Sequence, residues 1–399
     1  MIPLHEALEY VLEHCSHLPI VRINTDDARG LVAAEALITS EAVPPFDNTA
    51  MDGFAVRSVD TLGAPIELSI VGTQAAGPLT NVGLGPGQAI RIMTGAAIPP
   101  GADAVVMIEK TEVSSDGSIV TIGTEVTKGN HLRFMGEDLK VGDEVFSSGT
   151  ILTPAHLGML ASIGCTEVSV FKRPLVGVMS TGDELVDRES ELAPGQIRDA
   201  NRYILLALLE ELGVDVIDLG LVPDIQGIIA DTILSGVSAC DVVITSGGVS
   251  MGDFDYVKVV LDQIGNMRWM QVAIKPAKPL AFGLVEGVPV FGLPGNPVSS
   301  MVSFELFARP ALRAMMGCSD LDRPRVQAVV DGKLFRKSDG KTHFVRVAVR
   351  WINGVCSVSS TDAQGSHQLS GMAEASGLAI LPDGDGLTDG DNVEVILLR

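Results

Sequence analysis

The sequence has few aromatic residues, few cysteines and no cysteine pair at metal-binding spacing. Aromatic residues make up 4% of its 399 residues, whereas glycine (43) and proline (21) are abundant. This composition favours many short turns over long helical bundles. The five cysteines include no CxxC pair, which argues against a disulfide framework and against a thiolate zinc site. We therefore predict a protein of a reducing, cytoplasmic compartment.

Positive charge and long apolar runs are also scarce. The chain carries 28 Lys and Arg against 50 Asp and Glu, and its formal net charge is −22. Such a field repels nucleic acid and anionic membrane surfaces, so an anionic ligand has to be bound locally. The most apolar stretch, residues 279–297, contains Glu286 and several prolines and glycines, which a membrane span excludes. We expect a soluble protein with no nucleic-acid partner and no membrane partner.

Several common catalytic motifs are absent. The sequence contains no HExxH, no GxSxG elbow and no Walker A loop, and its seven histidines are scattered. These absences exclude the zinc proteases, the α/β-hydrolases and the P-loop nucleotidases as function classes.

The length and the hydrophobic patterning predict a multidomain α/β plus β protein. From about residue 174 to 317, short apolar strands alternate with amphipathic helices, which is typical of a doubly wound parallel sheet. The last predicted helix, residues 298–316, contains Pro310, which we expect to kink or interrupt it. Residues 20–173 are β-rich, and the segment after Arg323 shows short strands that predict a small barrel or sandwich. Residues 4–15 have the apolar spacing of an amphipathic helix.

One predicted strand ends in a loop suited to a ligand. The segment CDVVITSGGVSMGDFD runs from Cys240 to Asp255, and its Gly247 and Gly248 end the apolar run. Glycines let backbone N–H groups approach an anion closely, and Asp253 and Asp255 add the oxygen ligands that a hard cation prefers. The alternative is a tight turn in which Asp253 caps the next helix.

Other polar residues follow neighbouring strands of the same predicted sheet. Asp183 and Glu184, in STGDEL, come directly after the first strand, and the carboxyl ends of parallel strands share one crevice. Asp224 lies at another strand end, where it is a ligand or the N-cap of its helix. Lys275 and Lys278 are possible partners of a phosphate or carboxylate, or solvated surface charges.

The roles of residues in two further parts of the sequence have more than one interpretation. LPGNPVSS places Pro294, Gly295 and Asn296 at a helix N-terminus that favours an anion, with capping by Asn296 as the alternative. In the β-rich half, the segment with Asp52 is a hinge or a ligand edge. Thr94 either binds an anion or caps its turn, with the cap favoured by the local pattern, and Asp138 is interpreted as a solvated turn acid.

The ordered set of motifs resembles one family, the molybdopterin molybdenumtransferases, which include MoeA of bacteria and the matching part of gephyrin. The nine motifs lie in the family's order: PPFDNTAMDGFA, MTGAAIPPGADAVV, RxxGED, STGDEL, GQIRDAN, SGGVSMGDFD, KPAKP, LPGNPVS and QGSH. The resemblance implies molybdenum cofactor synthesis from two substrates, adenylylated molybdopterin and molybdate, with release of AMP and a need for Mg²⁺. It also implies pterin-nucleotide and oxyanion ligands, and other cofactor biosynthesis proteins as further partners.

The resemblance further implies a four-domain layout and an elongated homodimer. The domains expected are an extended domain I (20–43 and 141–173), an inserted β domain II (44–140), an α/β molybdopterin-binding domain III (1–19 and 174–320) and a C-terminal β domain IV (321–399). The family's active cleft is shared between subunits. Residues 52, 94 and 138 are therefore expected to reach the crevice from a partner chain.

Matching the motifs implies a set of site residues. The catalytic set is Asp52, Thr94, Asp138, Glu184 and Asp255. The metal ligands are Glu184, Asp253 and Asp255. The residues that bind the pterin ligand are Gly247, Gly248, Ser250, Asp224, Lys275, Lys278, Pro294, Gly295, Asn296, Arg346 and Ser366. Ala277 stands where many bacterial relatives have glycine, which we expect to change little, and Ser376 stands where the family often has asparagine.

Two other functions remain as alternatives. A molybdopterin adenylyltransferase has a similar α/β domain and ligand loop, but it does not need the N-terminal β modules. A pterin-binding scaffold without catalysis is the third hypothesis, and the intact acids at the cleft motifs argue against it.

Overall fold

The computed structural model describes residues 1–80, 82–248 and 256–399, which form two compact units. The first unit contains Met1–Arg22, Gly30–Ala34 and Ser169–Arg399, and the second contains Ile23–Arg29 and Glu35–Val168.

A six-stranded sheet forms the centre of the first unit. Its spatial order is Asp215–Val222, Leu175–Thr181, Val242–Ser246, Val288–Leu293, Pro279–Val285, Asn266–Gln271. The first four strands are parallel, as predicted, and the fifth, Pro279–Val285, runs antiparallel to both of its neighbours. The reversal follows from the two-residue turn at Glu286 and Gly287, both with positive φ (51° and 84°), which is the geometry of a tight hairpin. The edge strand Asn266–Gln271 was not predicted.

Helices cover both faces of this sheet and bury alternate residues of each strand. Val242 and Ile244 pack in one hydrophobic cluster with Leu205, whereas Val243 packs in a second cluster with Ile229. A strand with apolar residues at every position therefore lies between two cores, as a doubly wound sheet requires. The helices of this domain are Leu4–Glu13, Asn201–Leu212, Gln226–Ala239, Tyr256–Ile264, Pro297–Ser303 and Arg309–Met315.

The predicted interruption near Pro310 is confirmed. A π-helical turn, Phe304–Ala308, separates the helix Pro297–Ser303 from the helix Arg309–Met315. Proline has no N–H to donate and its ring crowds the preceding turn, so the wider π turn accommodates it inside an otherwise continuous helix.

The C-terminal segment forms a closed five-stranded barrel, one of the two predicted possibilities. Its strands, in pairing order around the barrel, are Thr342–Ile352, Val355–Ser360, Arg325–Val330, Asn392–Leu397 and Gly377–Leu381. The pairing of the last strand with the first closes the ring and removes free sheet edges. The short helix Leu369–Glu374 lies outside the barrel strands and was not predicted.

The second unit contains a separate six-stranded sheet. Its order is Ala104–Met107, Gly53–Val56, Gln88–Ile92, Ile66–Gln74, Ile119–Ile122, Thr111–Val113. A nine-residue helix, Pro154–Ser162, was not predicted, although Thr153 and His156 form its capping box and Pro154 begins its first turn.

The remaining regular segments of the chain are short. The short strands are Ile20–Asn24, Leu37–Ile38, Asn48–Thr49, Leu132–Arg133, Glu144–Phe146, Glu167–Phe171, Leu185–Val186, Ile197–Arg198, Ile274–Lys275, Lys333–Leu334 and Leu387–Thr388. Among residues 1–80, 82–248 and 256–399, no helix has the length and apolarity needed to cross a membrane.

A buried ion pair connects the α/β domain to the barrel within the first unit. Glu305, in the π-helical turn, is 7% exposed and accepts hydrogen bonds from Arg323 at 2.8 and 2.9 Å. Arg323 also donates to the carbonyl of Leu398, directly after the last barrel strand, at 2.7 Å. The guanidinium group therefore donates both to a buried carboxylate and to a backbone carbonyl that follows the last barrel strand.

We expect Arg323→Met to lower the free energy of unfolding of the first unit by about 2 kcal/mol, because it removes both hydrogen bonds to the buried Glu305 carboxylate and leaves only Arg309, 3.8 Å away, as a cationic partner. Tryptophan fluorescence during urea unfolding measures this change selectively, since both tryptophans, Trp269 and Trp351, lie in the first unit. Arg325→Met is the matched control: Arg325 pairs with Asp322 and Glu394 at exposed positions, so its loss should cost less than about 1 kcal/mol. Equal effects of the two substitutions would contradict the prediction.

Candidate functional site

Two glycine loops meet at the carboxyl ends of the parallel strands. Gly247 has a φ of 95°, and a Cβ atom there would lie 2.6 Å from the carbonyl oxygen of Thr181. A Cβ atom on Gly295 would lie 3.8 Å from the Cα of Gly247, whose amide donates to the carbonyl of Leu293 at 3.2 Å. Only glycine fits at position 247, and the absence of side chains leaves backbone groups accessible at this edge.

Asn201 connects these loops, although no role was predicted for it. It begins the helix Asn201–Leu212 and is 8% exposed. Its Nδ2 donates to the Ser246 hydroxyl at 2.8 Å and to the Gly295 carbonyl at 2.7 Å. The signal was present, because Asn201 ends the GQIRDAN motif, but sequence spacing alone does not show which partners an asparagine has.

A second buried network lies next to Asn201. Asp199 is 2% exposed and accepts hydrogen bonds from the Ser180 hydroxyl at 3.2 Å and from the Arg202 Nε at 3.0 Å. Arg202 also pairs with Asp218, on the neighbouring strand. These contacts hold the first turn of the helix against the strand ends, so the polar groups of this edge have fixed positions.

Three carboxylates lie at this edge of the sheet. Asp224 accepts a hydrogen bond from the Thr181 hydroxyl, and its amide donates to Asp183 at 3.3 Å. The N-cap position of the following helix belongs to Ile225, so the alternative of Asp224 as N-cap does not hold. Glu184 is exposed, and its carboxylate lies against Gly182, where a Cβ atom would be 2.7 Å from Oε2.

The predicted metal ligands are only partly within the described chain. Asp253, Asp255 and the predicted pterin ligand Ser250 lie outside the described residues. Within the described ranges, no group of three His, Cys, Asp or Glu side chains could hold a metal ion. Glu184, the predicted metal ligand among the described residues, offers carboxylate oxygens, which are the donor atoms that Mg²⁺ prefers.

A cavity of about 420 Å³ lies beside the glycine loops, between the α/β domain and the barrel. Five of its lining residues were predicted ligand residues: Lys275, Lys278, Pro294, Asn296 and Ser366. Asn296 occupies the N-cap position of its helix, but its side chain makes no capping hydrogen bond. The amide group of Asn296 is therefore available to a ligand, and the capping alternative loses its support.

Arg346 supports the loop that carries Ser366. It is 1% exposed and donates to the carbonyls of Ala363 and Gly365, the latter at 3.2 Å. Burial lowers the pKa of this guanidinium. These contacts give Arg346 a defined structural role behind the cavity wall, and its predicted contact with the ligand stays a prediction.

Ala277, one of the departures from the family pattern, has an unusual backbone conformation. Its φ is 73°, in the left-handed region that glycine enters without strain. The side chain is 3% exposed and belongs to a hydrophobic cluster. Burial of the methyl group therefore stabilises the folded protein at this position and offsets part of the cost of the left-handed backbone conformation.

The second unit holds the remaining predicted residues. Asp52 and Thr94 are in contact: Asp52 Oδ1 accepts from the Thr94 amide at 2.6 Å and from its hydroxyl at 2.7 Å. The hydrogen bond from the Thr94 amide and, to a smaller extent, that from the Thr94 hydroxyl lower the pKa of Asp52. Both residues are exposed. Thr94 therefore donates to a protein carboxylate, and its predicted role toward a ligand stays a prediction.

Asp138 lies on a neighbouring segment of the same unit. It is exposed and lines a cavity of about 350 Å³ with Pro44, Arg133 and Glu137. The two motif segments are joined because Asp47 Oδ1 accepts a hydrogen bond from the Met135 amide at 2.7 Å.

Family models match three consecutive parts of the chain. The MoeA N-terminal region (domain I and II) matches residues 2–164, a probable molybdopterin binding domain matches residues 177–314, and the MoeA C-terminal region (domain IV) matches residues 330–398.

Full-length relatives agree with these matches. A molybdopterin molybdenumtransferase of Haemophilus influenzae is 40% identical over 99% of this chain and 98% of its own length, and one from Staphylococcus aureus is 33% identical over 99% and 95%. The crystal structure of a molybdopterin biosynthesis MoeA protein from Pyrococcus horikoshii OT3 is 31% identical, covers both chains completely and superimposes with a TM-score of 0.82. The chain belongs to the molybdopterin molybdenumtransferase (MoeA) family.

Proposed function

We propose that this protein acts in molybdenum cofactor biosynthesis by inserting molybdate into adenylylated molybdopterin, with release of AMP. The observation that carries the proposal is the edge where the Gly247 and Gly295 loops meet, beside a cavity with Lys275 and Lys278 in its wall. A chain with a net charge of −22 needs such a local site to bind an anionic pterin ligand and an oxyanion.

The residues of this edge bind and orient the substrate. The glycine loops present backbone N–H groups to the pterin phosphate, and the two lysines offset the charge of the bound anions. Asn201 holds the loops together, so the phosphate meets donors whose positions are set before it binds.

Mg²⁺ fits the oxygen donors of Glu184, with Asp253 and Asp255 as the other proposed ligands. When bound, it supplies Lewis-acid chemistry and a template at the phosphoanhydride. The carboxylates alone would repel molybdate and the phosphates, which is the physical reason for a cation at this position.

The assembly and the domain division belong to the same proposal. Asp52, Thr94 and Asp138 are exposed residues of the second unit, which supports a role toward a cleft shared with a partner subunit of a homodimer. We propose the four domains with the boundaries given above, and a cytoplasmic location, which the five free cysteines support.

The decisive experiment measures AMP release from adenylylated molybdopterin by the purified protein with Mg²⁺. Release that requires molybdate is the expected result. Consumption of ATP would instead indicate an adenylyltransferase, and binding without turnover would indicate a scaffold. Competition between molybdate and tungstate in the same assay identifies the preferred oxyanion.

We expect Asp255→Asn to abolish turnover while pterin binding is much less affected, because an amide is a neutral and weaker Mg²⁺ ligand than a carboxylate. Single-turnover AMP release and equilibrium binding of molybdopterin measure the two effects separately. An equal loss of both, or full activity, would contradict a role in metal binding.

We expect Thr94→Val to raise the pKa of Asp52 part of the way toward its ordinary value, because the hydroxyl donor is lost and the amide donor remains. Since the pKa in the folded protein is lowered, the stabilising contribution of this contact is present above the ordinary pKa and is lost as the pH falls through the folded value.

A carbon-13 NMR titration of aspartate-labelled protein measures the pKa of Asp52. Thr111→Val is the control, because the Thr111 hydroxyl donates to the carbonyl of Ile108 and touches no carboxylate. An unchanged Asp52 titration in Thr94→Val would show that the hydroxyl bond does not act on the carboxylate.

A further inference from the structure

One threonine at a strand end contacts both the acidic edge of the sheet and the glycine loop. Thr181 ends the strand Leu175–Thr181 and is 4% exposed. Its hydroxyl donates to Asp224 Oδ1. A Cβ atom on Gly247 would lie 2.6 Å from the Thr181 carbonyl oxygen and 3.9 Å from its methyl carbon Cγ2. The carbonyl and the methyl group of Thr181 therefore face the glycine loop, whereas its hydroxyl acts on a charged side chain.

The backbone around Asp224 is held by two hydrogen bonds. Asp224 lies two residues beyond the neighbouring parallel strand, Asp215–Val222. The Ile225 amide donates to the Pro223 carbonyl at 2.7 Å, which makes Asp224 the central residue of a three-residue turn. The Asp224 amide donates to Asp183 at 3.3 Å. Because these contacts fix the main chain of the turn, the direction of the carboxylate depends on the side-chain torsions alone.

The hydrogen bond from Thr181 restrains those torsions. Threonine is branched at Cβ, so its χ1 has few allowed values in a strand and its hydroxyl points in a defined direction. A donor in a fixed position at Oδ1 therefore limits the rotation of the Asp224 carboxylate. Among residues 1–80, 82–248 and 256–399, no hydrogen bond or ion pair reaches Asp224 Oδ2. The half-buried carboxylate thus has one oxygen occupied and offers the other in a set direction.

The second oxygen of Asp224 suits a hydrogen-bond donor better than an anion or a metal ion. Asp183 and Glu184 follow the neighbouring strand at the same edge, so three acids would repel a phosphate or molybdate group there. Within the part of the chain that the structure describes, Asp224 belongs to no group of three potential metal ligands. An N–H group of the ligand is the remaining partner for a carboxylate oxygen.

We propose that Thr181 is a positioning residue whose hydroxyl orients Asp224, so that Asp224 Oδ2 accepts a hydrogen bond from an N–H donor of the ligand. Thr181 is buried and acts through Asp224 rather than by touching the ligand. A carboxylate that is oriented before binding loses less conformational entropy when the ligand arrives. The identity of the donor as part of the pterin rests on the proposed function, whereas the orientation of Asp224 by Thr181 does not.

Thr181→Val tests the proposal because valine keeps the methyl group and the branched shape and removes the hydroxyl. We expect the KM for adenylylated molybdopterin to rise about fivefold while kcat changes less than about twofold, since the hydroxyl acts on ligand binding. Thr181→Ser keeps the hydroxyl and loses the methyl group, and it should recover most of the affinity. A role limited to packing against Gly247 predicts the opposite order, with serine the more harmful substitution.

Thr245→Val is the matched control. Thr245 lies in the adjacent strand Val242–Ser246 and is fully buried, and its hydroxyl has no hydrogen-bond partner among the described residues. The same chemical change there should leave KM unchanged. Thermal unfolding of each variant identifies any loss of stability.

A double substitution identifies the group through which Thr181 acts. If the hydroxyl works only by orienting the carboxylate, adding Thr181→Val to Asp224→Ala should change KM by less than about twofold. Full additivity of the two effects would overturn the proposal, because Thr181 would then act by another route. A rise in the half-saturating Mg²⁺ concentration with an unchanged KM for the pterin substrate would overturn the assignment of an N–H donor.

Crystal structures of the wild-type protein and the Thr181 variants distinguish this proposal from the proposed function. We expect one orientation of the Asp224 carboxylate in the wild type and in Thr181→Ser, and a rotated or multiply placed carboxylate in Thr181→Val. That result supports the positioning role even if the wild-type protein releases no AMP, in which case the proposed function alone fails. An Asp224 carboxylate that keeps its orientation in Thr181→Val would overturn the positioning role, whatever the turnover.

Discussion

The close approach of two backbone segments at the carboxyl ends of the parallel strands is the constraint on which the site depends. Gly247 passes so near the Thr181 carbonyl that a side chain has no room, and Gly295 reaches the same place from the neighbouring strand of the sheet, Val288–Leu293. Asn201 secures this approach with two hydrogen bonds.

Charge is distributed so that a strongly acidic chain still offers a site for anions. The acids at the sheet edge, Asp183, Glu184 and Asp224, follow the strands nearest one side of the glycine loops, while the lysines line the cavity between the sheet domain and the barrel. Coulomb interactions at these short distances outweigh the screened field of remote surface charges. Local placement of a few side chains therefore decides which ligand binds, and the net charge limits nonspecific partners.

The alternation of apolar segments was sufficient to predict the four parallel strands, the helices that follow them and the break at Pro310, because burial on two faces leaves an unmistakable pattern. The antiparallel part of the sheet was not predicted, because the only local indication of the reversal is the two-residue turn at Glu286 and Gly287. The placement of Asp183, Glu184 and Asp224 at one edge followed from topology. The hydrogen bond from the Thr181 hydroxyl to Asp224 did not, because the two residues lie at the ends of different strands.

The sequence by itself determined the fold class, the family and the residue types of the site, because these depend on periodic burial and on motifs that are local in the chain. Only the tertiary structure showed that Asn201 joins the loops at Ser246 and Gly295, that Arg346 supports the loop of Ser366, and that Lys341 lines the same cavity as Lys275. Each of these contacts joins residues that are far apart in the chain. Sequence spacing contains no information on such pairs, since packing of the sheet and closure of the barrel bring them together.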